Sequence, residues 1–76
     1  MQKFGEKLYF LRKNRNLTLL QLGNLLGVHN TYISQLEKCR RTPNAEMIIK
    51  IADTFHVTCD QLMRDELDIP IKKQEK

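Results

Sequence analysis

The chain has 76 residues, of which 41% are hydrophobic and 29% are charged, and its formal net charge is +4. This length predicts a single domain, and this composition is typical of a globular chain rather than a disordered one. No apolar run approaches the roughly 20 residues that span a bilayer, and no signal peptide is recognisable at the start. The two cysteines are too few for a disulfide scaffold. We therefore expect a cytoplasmic protein with no membrane segment.

Charge is distributed unevenly along the sequence. Residues 1–43 contain eight lysines and arginines against two glutamates, whereas residues 44–76 contain five basic and seven acidic residues. A basic first half beside an acidic second half is typical of a protein with a face that binds a polyanion. Ordinary solvated surface charge would give the same counts, so the pattern of helices has to distinguish the two interpretations.

Apolar residues at helical spacing predict short helices and no strand. The first helix covers residues 2–14. Thr18 and Gln21 form a capping-box pattern that opens a second helix, which extends to Leu26. Gly27 suits the left-handed residue that closes this helix.

Three further helices bring the predicted total to five. The third begins at His29 or Asn30. Asn44, directly after a proline, is expected to cap the fourth helix. Thr58 and Gln61 repeat the capping-box pattern at the start of a short fifth helix. The fold class is therefore all-α.

The apolar faces of the helices predict one core within a domain of residues 1–68. Residues 69–76, which include a proline and several lysines, are expected to form a tail that is loose or ordered by a partner. The predicted core consists of Leu8, Leu11, Leu22, Leu26, Ile33, Leu36, Ile48, Ile51, Phe55 and Leu62.

The second and third helices have the features of a helix-turn-helix. About three residues join them, which is short enough to force a steep crossing. Gly23, in the middle of the second helix, leaves room for a backbone that approaches closely, and Gly27 permits the turn.

The outer face of the third helix is polar and nearly uncharged. With Ile33 and Leu36 turned inward, the outward side chains carry amides and hydroxyls. Asparagine and glutamine can bond adenine in two places, and threonine can add a methyl contact to thymine. A basic cluster follows, where it can meet phosphates. The outward residues are Asn30, Thr31, Ser34, Gln35 and Lys38, and the basic cluster is Lys38, Arg40 and Arg41.

The sequence resembles the lambda-repressor/Cro-like family, often called XRE-type regulators, over residues 4–63. The matching segments are "LRKNRNLTLLQLG", "LGVHNTYISQLEK", "RRTPN" and "IADTFHVTCDQL". Members are compact five-helix DNA-binding domains, usually dimeric on pseudo-palindromic operators. The resemblance implies a bacterial, phage or plasmid-encoded transcriptional regulator that acts on double-stranded DNA, with repression favoured.

The same resemblance implies roles for individual residues. The third helix would enter the major groove, with Asn30, Thr31 and Gln35 reading bases. Arg12 and Glu37 would form a semi-buried ion pair between the first and third helices. Phosphate contacts would come from Thr18, Tyr32, Ser34, Lys38, Arg40 and Arg41.

Three positions depart from the family pattern. Leu19 stands at the start of the second helix, where phage members often have a glutamine that touches a phosphate. Cys39 and His56 stand where the family often has glycine after the third and fourth helices. Each of these two residues must adopt a left-handed conformation, or its helix must end with a different cap.

A metal site and a catalytic site are both poorly supported by the sequence. His56 and Cys59 have the spacing of two metal ligands, but neither Cys39 nor His29 supplies a second ordinary pair. A Cys–His nucleophile needs a pocket and an orienting partner, and so short a chain has little room for either. We expect no metal, no cofactor and no enzymatic activity.

More apolar residues are present than a minimal core needs, which predicts a subunit interface and a homodimer. The proposed interface contains Met47, residues 56–58 and Met63, with Ile69 and Ile71. An antitoxin-like or adaptor module that binds a protein partner remains the alternative, and a non-specific DNA or RNA binder is disfavoured by the amide-rich third helix. The surplus residues are Leu19, Leu20, Met47, Ile49, Met63, Ile69 and Ile71.

Overall fold

Five α-helices lie within residues 3–67, the part of the chain that the computed structural model describes. In chain order they are α1 (Phe4–Asn14), α2 (Leu19–Leu26), α3 (Asn30–Glu37), α4 (Ala45–Phe55) and α5 (Cys59–Met63). This part contains no strand, so the predicted all-α fold of five helices is confirmed. The first helix begins at residue 4 rather than residue 2. The predicted tail of residues 69–76 lies outside the described residues.

Side-chain caps begin four of the helices, as expected for helices too short to be stable alone. At α2 the Gln21 amide N–H donates to the Thr18 hydroxyl at 3.0 Å, and the Thr18 N–H donates to the Gln21 side chain at 2.9 Å. Thr58 and Gln61 form the same reciprocal pair at α5. At α4 the Met47 N–H donates to the Asn44 side chain at 2.8 Å. Both predicted capping boxes and the Asn44 cap are confirmed.

All ten residues of the predicted core are buried, and Phe4, Met47 and Ala52 belong to the same cluster. Met47 corrects the interpretation from sequence, which placed it in a subunit interface. It is only 6% exposed, because it lies one turn before the fully buried Ile51 on the inward face of α4.

The other surplus apolar residues divide into three groups. Leu19 packs against the core as a half-buried residue, so it too belongs to the interior. Ile69 and Ile71 lie outside the described residues. The residues that remain exposed are Leu20, Ile49 and Met63, with Tyr9, Phe10, Leu25 and Leu67.

Two glycines allow helices to approach α3 closely. A Cβ added to Gly23 would lie 2.7 Å from the Val28 carbonyl oxygen, which confirms the predicted close crossing of α2 and the turn. A Cβ added to Gly5 would clash with the carbonyl of Glu37 and lie 2.6 Å from that of Leu36. This second approach, which seats the start of α1 against the end of α3, was not predicted from the sequence.

Left-handed residues end three segments without glycine. Cys39 has a φ of 61° and His56 a φ of 58°, so both adopt the strained conformation rather than a different cap. Asn16, in the turn after α1, has a φ of 57°, and asparagine tolerates this region well. Gly27, with a φ of 75°, closes α2 as predicted.

A buried lysine ties the end of α5 to α1. The Lys7 ammonium donates to the carbonyls of Gln61, Arg64 and Leu67 at 2.5, 2.8 and 2.7 Å. These oxygens belong to α5 and the segment that follows it, where helix carbonyls lack partners of their own. The contact therefore fixes the path of the chain after α5.

Candidate nucleic-acid interface

The orientation of α3 is set by its inward residues. Ile33 and Leu36 are fully buried against the core, and the Val28 N–H donates to the Gly23 carbonyl at 2.9 Å across the tight turn. Because these contacts fix the rotation of the helix, its opposite side faces outward. On that side Thr31 is exposed, and Asn30, Ser34 and Gln35 are half-buried.

The first turn of α3 is capped by a histidine. The Thr31 N–H donates to Nδ1 of His29 at 3.1 Å, and the His29 backbone is extended, as an N-cap requires. The predicted start at His29 or Asn30 is confirmed, but the sequence did not indicate that the imidazole itself would be the cap.

The far end of α3 is held to α1 by an ion pair. Nε and Nη2 of Arg12 donate to the two Glu37 carboxylate oxygens at 2.6 and 3.1 Å. The third arm, Nη1, donates to the Leu17 carbonyl at 2.9 Å, before α2. The paired side chains are 10% and 9% exposed. The pair implied by the family resemblance is thus present, and it connects α1, the entry to α2 and the end of α3.

The basic cluster of Lys38, Arg40 and Arg41 lies exposed directly after α3. Left-handed Cys39 turns the chain there, and the Arg40 N–H donates back to the Gln35 carbonyl at 2.8 Å. None of the three cations forms an ion pair within residues 3–67.

Tyr32 gives Arg41 a defined position. The guanidinium carbon lies 5.2 Å from the centre of the half-buried Tyr32 ring, within the range of a cation–π contact. The cluster therefore combines free positive charge with one cation held beside α3.

The start of α2 offers fewer polar groups. Thr18 is exposed, but its hydroxyl already accepts the Gln21 N–H in the capping box. Leu19 and Leu20 follow, of which Leu20 is exposed. Contacts to an anion at this helix end would therefore rely on Thr18 and on backbone N–H groups.

Small-molecule and metal sites receive little support in the described part. A depression of about 90 Å³ beside Cys39 is far smaller than a ligand pocket, which holds roughly 300 Å³ or more. Larger hollows of about 330, 420 and 430 Å³ beside α2 are broad and open to solvent rather than enclosed. Within residues 3–67, no group of three or more His, Cys, Asp or Glu side chains is placed to hold a metal ion. No helix there has the length and apolar character needed to cross a membrane.

The sequence matches the pattern of the helix-turn-helix domain family over residues 5–67. It is 40% identical over 73 residues to the HTH-type transcriptional activator BcrR of Enterococcus faecalis, covering 96% of this chain and 36% of that protein. It is 34% identical over 61 residues to the HTH-type transcriptional regulator AnsR of Bacillus subtilis, covering 80% of this chain and 53% of the relative. The chain thus spans between about a third and a half of these relatives.

The fold is also similar to that of a solved repressor. The P22 c2 repressor, crystallised in complex with a synthetic operator, superposes with a TM-score of 0.78 and 28% sequence identity. The match covers 83% of this chain and 96% of that one. The arrangement of α1 to α5 is therefore that of a known repressor domain.

Proposed function

Since this chain belongs to the helix-turn-helix domain family, we propose that it recognises a specific operator in double-stranded DNA and regulates transcription there. The observation that carries the proposal is the outer face of α3. Its inward side is locked by Ile33 and Leu36, while its outward side presents amides and hydroxyls beside a basic cluster. A rigid helix with an uncharged polar face suits the base edges of the major groove.

Base reading is assigned to Asn30, Thr31 and Gln35. The three residues lie on the outward side of α3, and none of them is among the fully buried residues. The His29 cap and the Arg12–Glu37 pair hold the two ends of the helix. Because the helix is fixed at both ends, these side chains meet a base pair in a defined orientation, which recognition by hydrogen bonds requires.

Phosphate contacts are assigned to residues around this face. Arg41, stacked on Tyr32, and the free cations of the basic cluster supply charge at the end of α3. Such contacts position a protein on the duplex without reading its sequence. The proposed set is Thr18, Tyr32, Ser34, Lys38, Arg40 and Arg41.

We propose repression as the direction of regulation. A regulator that occupies an operator within a promoter blocks the polymerase, so repression needs no further contact. The named relatives comprise an activator and a regulator, and the similar solved structure is a repressor. These names describe transcriptional regulators, so the adaptor alternative is not favoured, and a protein partner has no support beyond the exposed apolar residues.

Binding-site selection from a random duplex pool tests the proposal. The purified chain should enrich one sequence with an approximate two-fold axis, because we propose that it binds as a dimer. A matched control carries Asn30→Ala and Gln35→Ala, which remove two proposed base contacts without changing charge. This variant should still bind the pool but enrich no comparable sequence. A wild-type pool that stayed random would refute specific operator recognition.

A further inference from the structure

The N-cap of α3 is an imidazole, a side chain that can gain a proton. The other capped helices use the side chains of Thr18, Asn44 and Thr58, whose hydrogen-bonding capacity does not change near neutral pH. At α3 the acceptor is Nδ1 of His29, at 3.1 Å from the Thr31 nitrogen. A neutral imidazole has one nitrogen that can accept a hydrogen bond, whereas an imidazolium has none. The observed cap therefore requires the neutral form.

The surroundings of His29 contain little charge that would favour an imidazolium. Residues 16–36 include no ionisable side chain apart from His29 and Tyr32, so α2 and the turn contribute none. From α4, the Lys50 ammonium lies 3.4 Å from the carbonyl at the end of α2. The carboxylate of α3, Glu37, lies at the other end of the helix and is bound by Arg12 of α1.

We propose that His29 is a positioning residue whose neutral imidazole orders the first turn of α3, so that discrimination between operator and random DNA falls on acidification. The inference rests on the proposed function, because Asn30 and Thr31 are the residues it positions. When His29 gains a proton, the Thr31 N–H loses its acceptor. A positive charge then lies beside the positive end of the helix dipole. The cap is thus present while the imidazole is neutral and is lost when acidification protonates it.

Protonation of His29 should affect the affinity for the operator differently from the affinity for random DNA. An added positive charge strengthens attraction to any phosphate backbone, so non-specific affinity does not fall with pH. Base reading needs an ordered first turn, so the operator loses affinity relative to random DNA. The ratio of the two affinities is therefore the informative quantity.

The test compares wild type, His29→Asn and His29→Ala at about pH 8 and about pH 5.5. The probes are the duplex recovered by selection and a scrambled duplex of equal composition. The affinity ratio of the wild type should fall about fivefold on acidification, the size of a lost N-cap. His29→Asn caps without titrating, so its ratio should stay high at both pH values. His29→Ala has no cap, so its ratio should be low at both.

Two further measurements isolate His29. The other histidine, His56, ends α4, and His56→Asn should retain the pH response whatever its affinity at pH 8. In the free protein, NMR should show the Thr31 amide shift following the titration of the His29 ring. If the affinity ratio of His29→Asn fell on acidification as that of the wild type does, the inference would be wrong while operator recognition stood. The same holds if the Thr31 amide shift did not change with protonation of the His29 ring. If the wild type selected no duplex, both would fall.

Discussion

Gln35 and Arg41 differ in what surrounds them, and this difference predicts different contributions to DNA binding. Gln35 is a half-buried amide on a helix whose rotation is fixed by Ile33 and Leu36. Arg41 is an exposed cation after that helix, placed over the Tyr32 ring. A fixed amide can distinguish base pairs, whereas a cation at the edge meets phosphates that are the same in every sequence.

Replacing Gln35 by Ala should therefore lower discrimination. We expect the selected operator to bind more weakly by about 1–3 kcal/mol, the size of one bidentate base contact, with little change for random DNA. Fluorescence anisotropy on the two duplexes would measure both affinities. An equal loss on both duplexes would show that Gln35 is not a base-reading residue.

Replacing Arg41 by Ala should weaken the operator and random DNA alike. The plot of log K against log salt should also lose about 0.9 of slope per protomer, because one fewer counterion is released. Arg64→Ala is a matched control, since Arg64 carries the same charge in the acidic half and is paired with Glu66. Its salt slope should equal that of the wild type. An unchanged slope in Arg41→Ala would argue against a phosphate contact.

The Arg12–Glu37 pair should show strong energetic coupling. Each side chain is nearly buried, and two N–H groups meet two carboxylate oxygens. Either Arg12→Met or Glu37→Met leaves a poorly solvated charge and should lower the free energy of unfolding by about 3 kcal/mol. The double variant should lose much less than the sum of the two. Urea denaturation of the wild type, the two single variants and the double variant would measure the four free energies of unfolding for this double-mutant cycle. Strictly additive losses would contradict the coupling.

At the scale of the helices, the contact between α1 and α5 depends on Lys7. Lys7→Met removes the ammonium that three carbonyls share, and it should lower the free energy of unfolding by about 2–3 kcal/mol. Hydrogen exchange should rise in α5 more than in α2 and α3, because only α5 loses its attachment. Lys3→Met is the matched control, since Lys3 is exposed and its contact to Asp65 uses the backbone N–H. Uniform loss of protection in all helices would show that Lys7 does not act through α5.

The helices were predictable because their signals are local. The capping boxes at Thr18 and Thr58 and the turn at Gly27 each lie within a few residues of the structure they specify. Gly5 and Lys7 were not recognised, because their partners lie more than thirty residues away along the chain. A glycine in a first turn and a lysine on a helix are unremarkable in sequence until the facing backbone is known.

The candidate site, like the fold, was predictable only where local sequence patterns determine it. Helical spacing placed the outward residues of α3, because Ile33 and Leu36 fix its rotation. Met47 was misassigned, because an apolar residue next to an apolar face gives no indication of how far the core extends. The role of His29 was also missed, since its capping nitrogen depends on a side-chain rotation that spacing does not determine.

At the scale of the molecule, size limits what one copy can recognise. The described part has extents of 30 × 26 × 20 Å and presents one reading helix of eight residues. A single such helix covers only a few base pairs, which gives little discrimination against a genome of competing sites. Two copies related by a two-fold axis would place their reading helices in successive major grooves, about 34 Å apart. The size of the domain therefore favours a dimer on DNA.

The dimer is predicted to form through the acidic half, around residues 56–58 and Met63, now without the buried Met47. Met63 is apolar and 38% exposed at the end of α5, so Met63→Glu should leave the fold intact and place a charge in the contact. Leu25→Glu is the matched control, because Leu25 is 60% exposed on α2, outside the proposed contact. Sedimentation on the selected duplex should find two copies of the wild type and of Leu25→Glu. Met63→Glu should bind as one copy at the same concentration, because its second copy gains no contact from the first. A wild-type footprint that protected only one asymmetric half-site would rule out the dimer, and two copies of Met63→Glu would place the interface elsewhere.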